Sequence, residues 1–235
     1  MTTEEFKGAM RRLGEKFVTV VALGDSNTEV NHWTMGSLNW VGLLQCNLHQ
    51  CFRNGFTLIN SGRGGDTAAG AMGRLERDVL RFKPDLVIVS FGLNDSGSGC
   101  GVDAFADACA ALLAKIRAGG GQVLLRTPNP IIGNVECREL DYGGAETAYP
   151  VGEFAAAAKA VADREGVACV DHHSLWMRSL QSKYRGEMQM LMGNCLHPNG
   201  NGHRRFYHEL APSFGLEERF QFEFGHLLEM EHLKR

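Results

Sequence analysis

The sequence predicts an α/β protein in which one parallel five-stranded sheet lies between two layers of helices, a three-layer α/β/α sandwich. Two observations support this fold class. Five short runs rich in Val, Ile and Leu are apolar at nearly every position, as in parallel strands that helices cover on both faces. Helix-length amphipathic segments separate these runs, which is typical of doubly wound sheets with right-handed crossovers.

The apolar runs and the amphipathic segments set the expected order of elements. The predicted strands are Phe17–Leu23, Thr57–Asn60, Leu86–Phe91, Val123–Thr127 and Val167–Val170. The predicted helices are Leu38–Phe52, Thr67–Phe82, Ala104–Ala118 and Gly152–Glu165. The stretch Thr127–Pro150 has three prolines and little periodicity, so we expect a long loop over the edge of the site.

Length and charge limit the domain organisation and the partners. A chain of 235 residues fits one domain over residues 1–235, with residues 216–235 as a C-terminal helical extension. That extension is expected to pack either on the domain or on a second subunit. In the second case the protein would be a homo-oligomer. A net charge of −3 gives no electrostatic case for nucleic acid or anionic membranes, and we expect neither as a partner.

The N-terminal residues and the cysteines suggest a cytoplasmic protein. The first residues contain no apolar segment of a secretory signal, and the apolar runs elsewhere are strand-length. The seven cysteines are scattered without a repeated spacing, which favours reduced thiols. Cys195, His197 and His203 match no zinc template, so we expect no metal and no cofactor.

The first predicted strand ends at the turn Gly24-Asp25-Ser26, which puts a serine hydroxyl at the edge where ligand sites of such sheets gather. A serine becomes a nucleophile when a base takes its proton and donors stabilise the oxyanion, and the Ser26 N–H is one such donor. The alternative is a turn in which Ser26 only caps a helix. Taken alone, the motif favours that alternative.

Two further turns follow predicted strands at the same edge. Asn60-Ser61-Gly62 opens a glycine-rich turn in which a backbone N–H can approach an anionic centre closely. A capped strand-to-helix loop is the alternative, and a phosphate loop is disfavoured because no Gly-Lys-Ser/Thr follows. In Gly92-Leu93-Asn94-Asp95 the Asn94 amide can donate to a tetrahedral intermediate, although an Asx turn also explains the motif.

A fourth block lies near the C-terminus, where His197 precedes Pro198. Because the proline fixes φ and keeps the turn extended, His197 is a credible general base. His203 is expected in the helix that follows, in its interior or at its surface.

Together the four blocks resemble the SGNH (GDSL-type) hydrolases, named after Ser, Gly, Asn and His in four ordered blocks. The match spans about residues 17 to 210 and comprises Ser26, Gly62, Asn94 and His197. The resemblance implies a flavodoxin-like sandwich with a shallow, open active site. It also implies a Ser26 nucleophile, a His197 base, and an oxyanion hole made by the Ser26 N–H, the Gly62 N–H and the Asn94 side chain.

The sequence departs from the family at the third catalytic position. Members usually carry an aspartate three residues before the histidine, where this chain has Asn194. An amide that donated to Nδ1 would leave Nε2 protonated, whereas an amide oxygen that accepted from Nδ1–H would keep the correct tautomer without a counter-charge. Alternatively, another carboxylate such as Asp171 or Glu187 supports His197, a backbone carbonyl does so, or the chain is a weak or inactive member.

The residues around the nucleophile suggest a polar and aromatic rim. The predicted substrate-binding residues are Asp25, Asn27, Trp33 and Asp95. Glu29, Asn31 and His32 belong to the same rim, and Asn39 and Trp40 would add to it. Alternatively, Trp33 and Trp40 only pack beneath a loop.

The leading interpretation is a serine esterase that forms an acyl-enzyme and acts on a small-molecule acyl ester, such as an acetylated carbohydrate. A lysophospholipase or thioesterase and an acyltransferase would use the same site. An inactive relative that acts as a binding protein is the alternative from another functional class.

Overall fold

The structure is a computed structural model and describes residues 17–48, 54–132 and 149–216. Five parallel strands form one sheet in the order β2-β1-β3-β4-β5. They are β1 (Val18–Gly24), β2 (Phe56–Gly62), β3 (Leu86–Ser90), β4 (Gln122–Arg126) and β5 (Ala168–Val170). The predicted parallel five-stranded sheet is confirmed.

Helices connect the strands and cover both faces of the sheet. They are α1 (Trp40–Asn47), α2 (Ala68–Met72), α3 (Leu75–Asp78), α4 (Leu93–Gly97), α5 (Val102–Ala118), α6 (Val151–Glu165), α7 (His172–Leu180), α8 (Arg185–Gln189) and α9 (Gly200–Leu210). Short 3-10 turns occur at His32–Thr34, Leu80–Phe82 and Ala211–Phe214. No described helix reaches the length and apolarity that a membrane span requires.

Alternate residues of the strands enter two separate hydrophobic cores. Val20 and Ile88 belong to a core that includes Trp40 of α1 and Phe206 of α9. Their strand neighbours enter the core on the opposite face, together with apolar residues of α2, α5 and α6. The central strands are therefore apolar at almost every position because each face of the sheet is buried.

Two predicted helices differ from those in the structure. The helix predicted over Thr67–Phe82 is wrong: this stretch divides into α2, α3 and a 3-10 turn. Gly73 ends α2, and Arg74 has a non-helical ψ of 0°. The helix predicted from Leu38 begins at Trp40, because the Asn39 side chain caps it by accepting from the Gly42 N–H.

The carboxyl ends of the three strands β2, β1 and β3 lie side by side. Gly24 pairs in register with Gly62 of β2 and with Ser90 of β3. The turns that follow these three residues therefore emerge next to each other, as in other open parallel sheets with a site at this edge.

A buried arginine joins two of these strand ends. The Arg74 guanidinium pairs with Asp66 at 2.6 Å and donates to the carbonyl oxygens of Ser61 and Gly24 at 2.8 and 3.2 Å. The side chains of Arg74 and Asp66 are only 5% and 8% exposed, so water cannot replace these contacts. Arg74 therefore fixes the glycine-rich loop beside the end of β1.

A second buried network fastens α9 to the domain. His172 accepts from Arg126 Nε at Nε2 and donates from Nδ1 to Glu209 at 2.6 Å. Burial lowers the pKa of His172 to about 4, so the ring is neutral and each nitrogen has one role. Trp176 also donates to Glu209. His172 is therefore a structural residue of this network.

The predicted C-terminal extension over 216–235 lies outside the described residues, apart from Leu216. That residue is buried in the core that contains α9. The single-domain organisation over 1–235 stays a prediction.

Replacing Arg74 with methionine should lower the free energy of unfolding by about 3–5 kcal/mol, because it leaves Asp66 buried without its counter-charge. Urea denaturation measures this change. Arg77→Met is the matched control: Arg77 is 66% exposed, so loss of its pair with Asp78 should cost no more than about 1 kcal/mol. Equal effects of the two substitutions would contradict the role given to Arg74.

Candidate active site

The turn after β1 holds Ser26 at the sheet edge. The Asp25 carboxylate accepts from the Asn27 N–H at 2.9 Å, and the Asp25 carbonyl accepts from the N–H groups of Thr28 and Glu29. Ser26 is half-buried, and within the described residues its own N–H has no acceptor. The backbone of the turn is thus fixed while the Ser26 hydroxyl and N–H stay available.

The loop before α9 brings His197 to this turn. The distance between Ser26 Oγ and His197 Nε2 is 2.9 Å, a normal hydrogen bond between a hydroxyl and an imidazole. The structure therefore brings together the two predicted catalytic residues, which are 171 positions apart in the chain.

Asn194 lies on the opposite side of the imidazole. Its Oδ1 accepts from the backbone N–H groups of Leu196 and His197 at 2.9 and 2.7 Å and lies 3.0 Å from His197 Nδ1. Since backbone N–H groups can only donate, the atom that faces Nδ1 must be the amide oxygen. Nδ1 therefore carries the proton, and Nε2 has a free lone pair directed at Ser26.

The alternatives in which another group supports His197 are wrong. The Asp171 side chain caps α7 by accepting from the Ser174 N–H, and it also accepts from the Thr127 hydroxyl. Glu187 forms no hydrogen bond or ion pair with His197. Neither a backbone carbonyl nor a donating amide occupies the position at Nδ1, because Asn194 Oδ1 lies there.

The imidazole of His197 is a weak base in this environment. Burial, and to a smaller extent the nearby His32, lower the pKa of His197 to about 4. In the described part of the chain no carboxylate pairs with the ring to offset this effect. His197 is consequently neutral at physiological pH and ready to accept a proton.

Asn94, the predicted oxyanion donor, is the second residue of α4, which follows the carboxyl end of β3. One N–H of its side-chain amide donates to the Asp66 carbonyl at 3.0 Å. This contact fixes which end of the amide is nitrogen and leaves the second N–H available, because an amide nitrogen has two donors.

The structure contradicts the prediction that the Gly62 N–H is a free donor. That N–H donates to Asn60 Oδ1 at 2.9 Å, and a Cβ at Gly62 would lie 2.2 Å from the Glu29 nitrogen. Gly62 is required for close packing. Gly65, in the same loop, has a φ of +74°, and its N–H has no acceptor in the described chain.

Three of the four predicted substrate-binding residues are buried and support the loops, and their contact with a substrate stays a prediction. Asp25 is 3% exposed, Asn27 is 7% and Asp95 is 2%. The Asp95 carboxylate accepts from the N–H groups of Gly92 and Ala68 and so joins the turn after β3 to α2. Burial raises the pKa of Asp25 to about 7.

The fourth residue, Trp33, is half-buried next to His197, and the two rings are stacked. Trp40 and Asn39 do not belong to an exposed rim. Trp40 is fully buried beneath the nucleophile turn, where its indole N–H donates to the Asn27 carbonyl at 2.9 Å.

Two asparagines connect the loops, and the first of them, Asn129, was not predicted from the sequence. Asn129 is buried and bonds to the Asn27 side chain and the Leu196 carbonyl, so it joins the nucleophile turn to the histidine loop. Asn31 donates to the Ser26 carbonyl at 2.6 Å. The position of Asn129 just after β4, at the same edge as the other motifs, was the available signal.

A metal site at Cys195, His197 and His203 is not supported by the contacts. His197 Nε2 faces Ser26, and His203 Nδ1 accepts from the Trp40 N–H at 3.4 Å. Among the residues that the structure describes, no group of His, Cys, Asp and Glu could hold a metal ion.

A serine and a histidine in hydrogen-bond contact at the carboxyl edge of a parallel sheet are the arrangement found in serine hydrolases. The model of the GDSL-like lipase/acylhydrolase family matches residues 22–205, well over half of the sequence. The chain belongs to this family, and the resemblance seen in the four sequence blocks is confirmed.

Curated relatives match a shorter segment. Uncharacterized lipoprotein YqeF of Bacillus subtilis is 34% identical over 87 residues, 35% of this chain and 34% of its own length. Esterase TesA of Pseudomonas aeruginosa is 35% identical over 89 residues, 38% of this chain and 44% of its own length. The aligned segment thus spans less than half of either relative.

Solved structures match over most of the chain. A catalytic mutant of Axe2, an acetylxylan esterase from Geobacillus stearothermophilus, has a TM-score of 0.69 at 20% identity and covers 88% of this chain and 98% of its own. The acetyl xylan esterase AlAXEase has a TM-score of 0.67 at 23% identity and covers 82% of this chain and 98% of its own. LAE5, an alpha/beta hydrolase from the metagenome of Lake Arreo, has a TM-score of 0.67 at 22% identity and covers 86% of this chain and 97% of its own. At these identities the likeness shows the fold.

Proposed function

We propose that this protein is a serine esterase that hydrolyses small acyl esters through an acyl-enzyme. The observation that carries the proposal is the 2.9 Å contact between Ser26 Oγ and His197 Nε2, with the Nε2 lone pair directed at the hydroxyl. Membership of the GDSL-like lipase/acylhydrolase family supports ester hydrolysis as the reaction.

In the proposed mechanism, His197 Nε2 takes the proton of Ser26 while Oγ attacks the ester carbonyl carbon. The oxyanion of the tetrahedral intermediate accepts from the Ser26 N–H, the free N–H of Asn94 and the Gly65 N–H. The imidazolium then gives its proton to the leaving alcohol, and the C–O bond breaks to leave the acyl-enzyme. In the second half of the reaction His197 takes a proton from water, and the water oxygen attacks the acyl carbon. The imidazolium then returns the proton to Ser26 Oγ as the acid leaves.

Asn194 reduces the driving force of the proton transfer without blocking it. The damage that an Asp-to-Asn change does in serine proteases comes from the wrong imidazole tautomer. Here the backbone N–H groups of Leu196 and His197 hold the amide oxygen toward Nδ1, so the tautomer is correct. What is missing is the negative charge that would stabilise the imidazolium.

An acetylated carbohydrate is the substrate class that we favour. Trp33 places a half-exposed indole next to His197, and aromatic rings are common partners of sugar rings in binding sites. Two of the similar structures are described as acetylxylan esterases. Esters of longer acids are a second candidate, since Val30 and Met35, on either side of Trp33 in the chain, are 75% and 88% exposed.

Ser26→Ala should abolish hydrolysis of p-nitrophenyl acetate and octanoate, because no nucleophile is left. An organophosphonate should label the wild type at Ser26, as located by peptide mass spectrometry. Ser174→Ala is the control and should hydrolyse and react like the wild type, since Ser174 is exposed on α7. A wild type that neither hydrolyses these esters nor reacts with the phosphonate would refute the proposal.

Asn194→Asp should raise kcat/KM at pH 7 by about 10- to 1,000-fold, because a carboxylate next to an imidazole raises its pKa by about one to three units. The base must be neutral, so activity falls as pH drops through its pKa. For the wild type this loss should occur near pH 4. In the variant it should move to higher pH, as a pH profile of kcat/KM would show.

The control for this substitution is Asn201→Asp on α9, which adds the same charge without contacting His197. Its pH profile should match that of the wild type. If Asn194→Asp changed neither the rate nor the acid limb, His197 would not be the base.

A further inference from the structure

The indole of Trp33 is stacked parallel to the imidazole of His197, the proposed base. The ring centroids of Trp33 and His197 are 5.3 Å apart, and the ring planes differ by 5°. A cation within about 6 Å of an indole centroid is attracted to the electron-rich face of the ring. An imidazolium formed at His197 would therefore lie within this range.

The stacked position of Trp33 is built by the surrounding residues. Asn31 accepts from the Trp33 N–H at 3.1 Å and donates to the Ser26 carbonyl at 2.6 Å, so one side chain sets Trp33 relative to the nucleophile. On the other side, a Cβ at Gly193 would lie 3.2 Å from the Trp33 carbonyl oxygen, 3.3 Å from Trp33 Cβ and 3.4 Å from Trp33 Cε3. The glycine next to Asn194 thus lets the indole pack directly against the histidine loop.

The groups around His197 otherwise disfavour a positive charge. His32 faces it from the 3-10 turn, and His203 faces it from α9 with a mutual repulsion when both are protonated. Asn194 is neutral, Ser26 is a hydroxyl, and within the described residues no carboxylate pairs with the ring. Within the described residues, Asn194 Oδ1 at Nδ1 and the indole face of Trp33 are two features that favour the charged form.

We propose that Trp33 is a positioning residue whose indole face stabilises the imidazolium of His197, in place of part of the charge that Asn194 lacks. The consequence for rate rests on the proposed esterase function, whereas the consequence for the protonation of His197 does not. When Ser26 is deprotonated, the positive charge that appears on the imidazole would be stabilised by the electron-rich face of Trp33.

The first test replaces Trp33 with leucine, which keeps an apolar cover over His197 but removes the π face. The proton affinity of His197 should fall by about twofold to thirtyfold, the range of a cation–π contact, which is a pKa lower by about 0.4 to 1.5. NMR titration of His197 measures this shift. The titration is then repeated with Asn194→Asp added to the wild type and to Trp33→Leu. The added carboxylate raises the pKa of His197, so the comparison is made at a higher pH, away from acid unfolding.

A second series keeps the shape of the ring and guards against misfolding of the leucine variant. Fluorinated tryptophans introduced at position 33 by a suppressor tRNA withdraw electron density from the indole face stepwise. The pKa of His197 should fall stepwise with fluorination. The same series at Trp176, which packs at a tilt against Phe206 and has no contact with His197, should leave this pKa unchanged.

Kinetics separate this role from substrate binding. With p-nitrophenyl acetate, Trp33→Leu should lower kcat by about twofold to thirtyfold with little change in KM. An unchanged or raised pKa of His197, or a rise in KM alone, would overturn the proposal and make Trp33 a substrate contact or a packing residue. If the wild type lacked esterase activity, the proposed function would fail while the pKa measurements still decided the role of Trp33.

Discussion

The contact between Ser26 and His197 depends on two backbone N–H groups that hold one amide oxygen. Leu196 and His197 donate to Asn194 Oδ1, and this fixes the orientation of a side chain whose two ends are otherwise nearly equivalent in shape. Because the oxygen faces Nδ1, the lone pair of Nε2 faces Ser26. A neutral residue can thus set the imidazole tautomer, while the stabilisation of the imidazolium has to come from elsewhere.

The buried polar residues at the strand ends support this pair. Arg74 connects the ends of β1 and β2, Asp95 connects the turn after β3 to α2, and Asn129 connects the nucleophile turn to the histidine loop. Each forms several hydrogen bonds away from water, where an unpaired partner would be costly. The loops that carry Ser26 and His197 are therefore positioned by a rigid and largely buried framework.

Much of the fold and of the site could be predicted from the sequence, because apolar strands and the turns after them are local signals. The pairing of Ser26 with His197 followed from the resemblance of four ordered blocks to a hydrolase family, and three of these blocks lie at predicted strand ends. The sequence did not show whether Gly62 or Gly65 has a free N–H for an oxyanion, because this depends on the direction of the backbone in the loop. The burial of Asp25 and Asn129 could not be predicted from the sequence either. A polar residue near a motif gives the same sequence signal whether its side chain faces the substrate or supports a loop.

The tautomer of His197 is the most direct test of this account. In protein carrying ¹⁵N-labelled histidine, with His197 assigned by comparison with His197→Gln, ¹⁵N NMR at pH 7 shows which ring nitrogen bears the proton. We expect a protonated Nδ1 and an unprotonated Nε2. A proton on Nε2 would contradict it, because Asn194 would then present its amide nitrogen to Nδ1 and His197 could not accept the proton of Ser26.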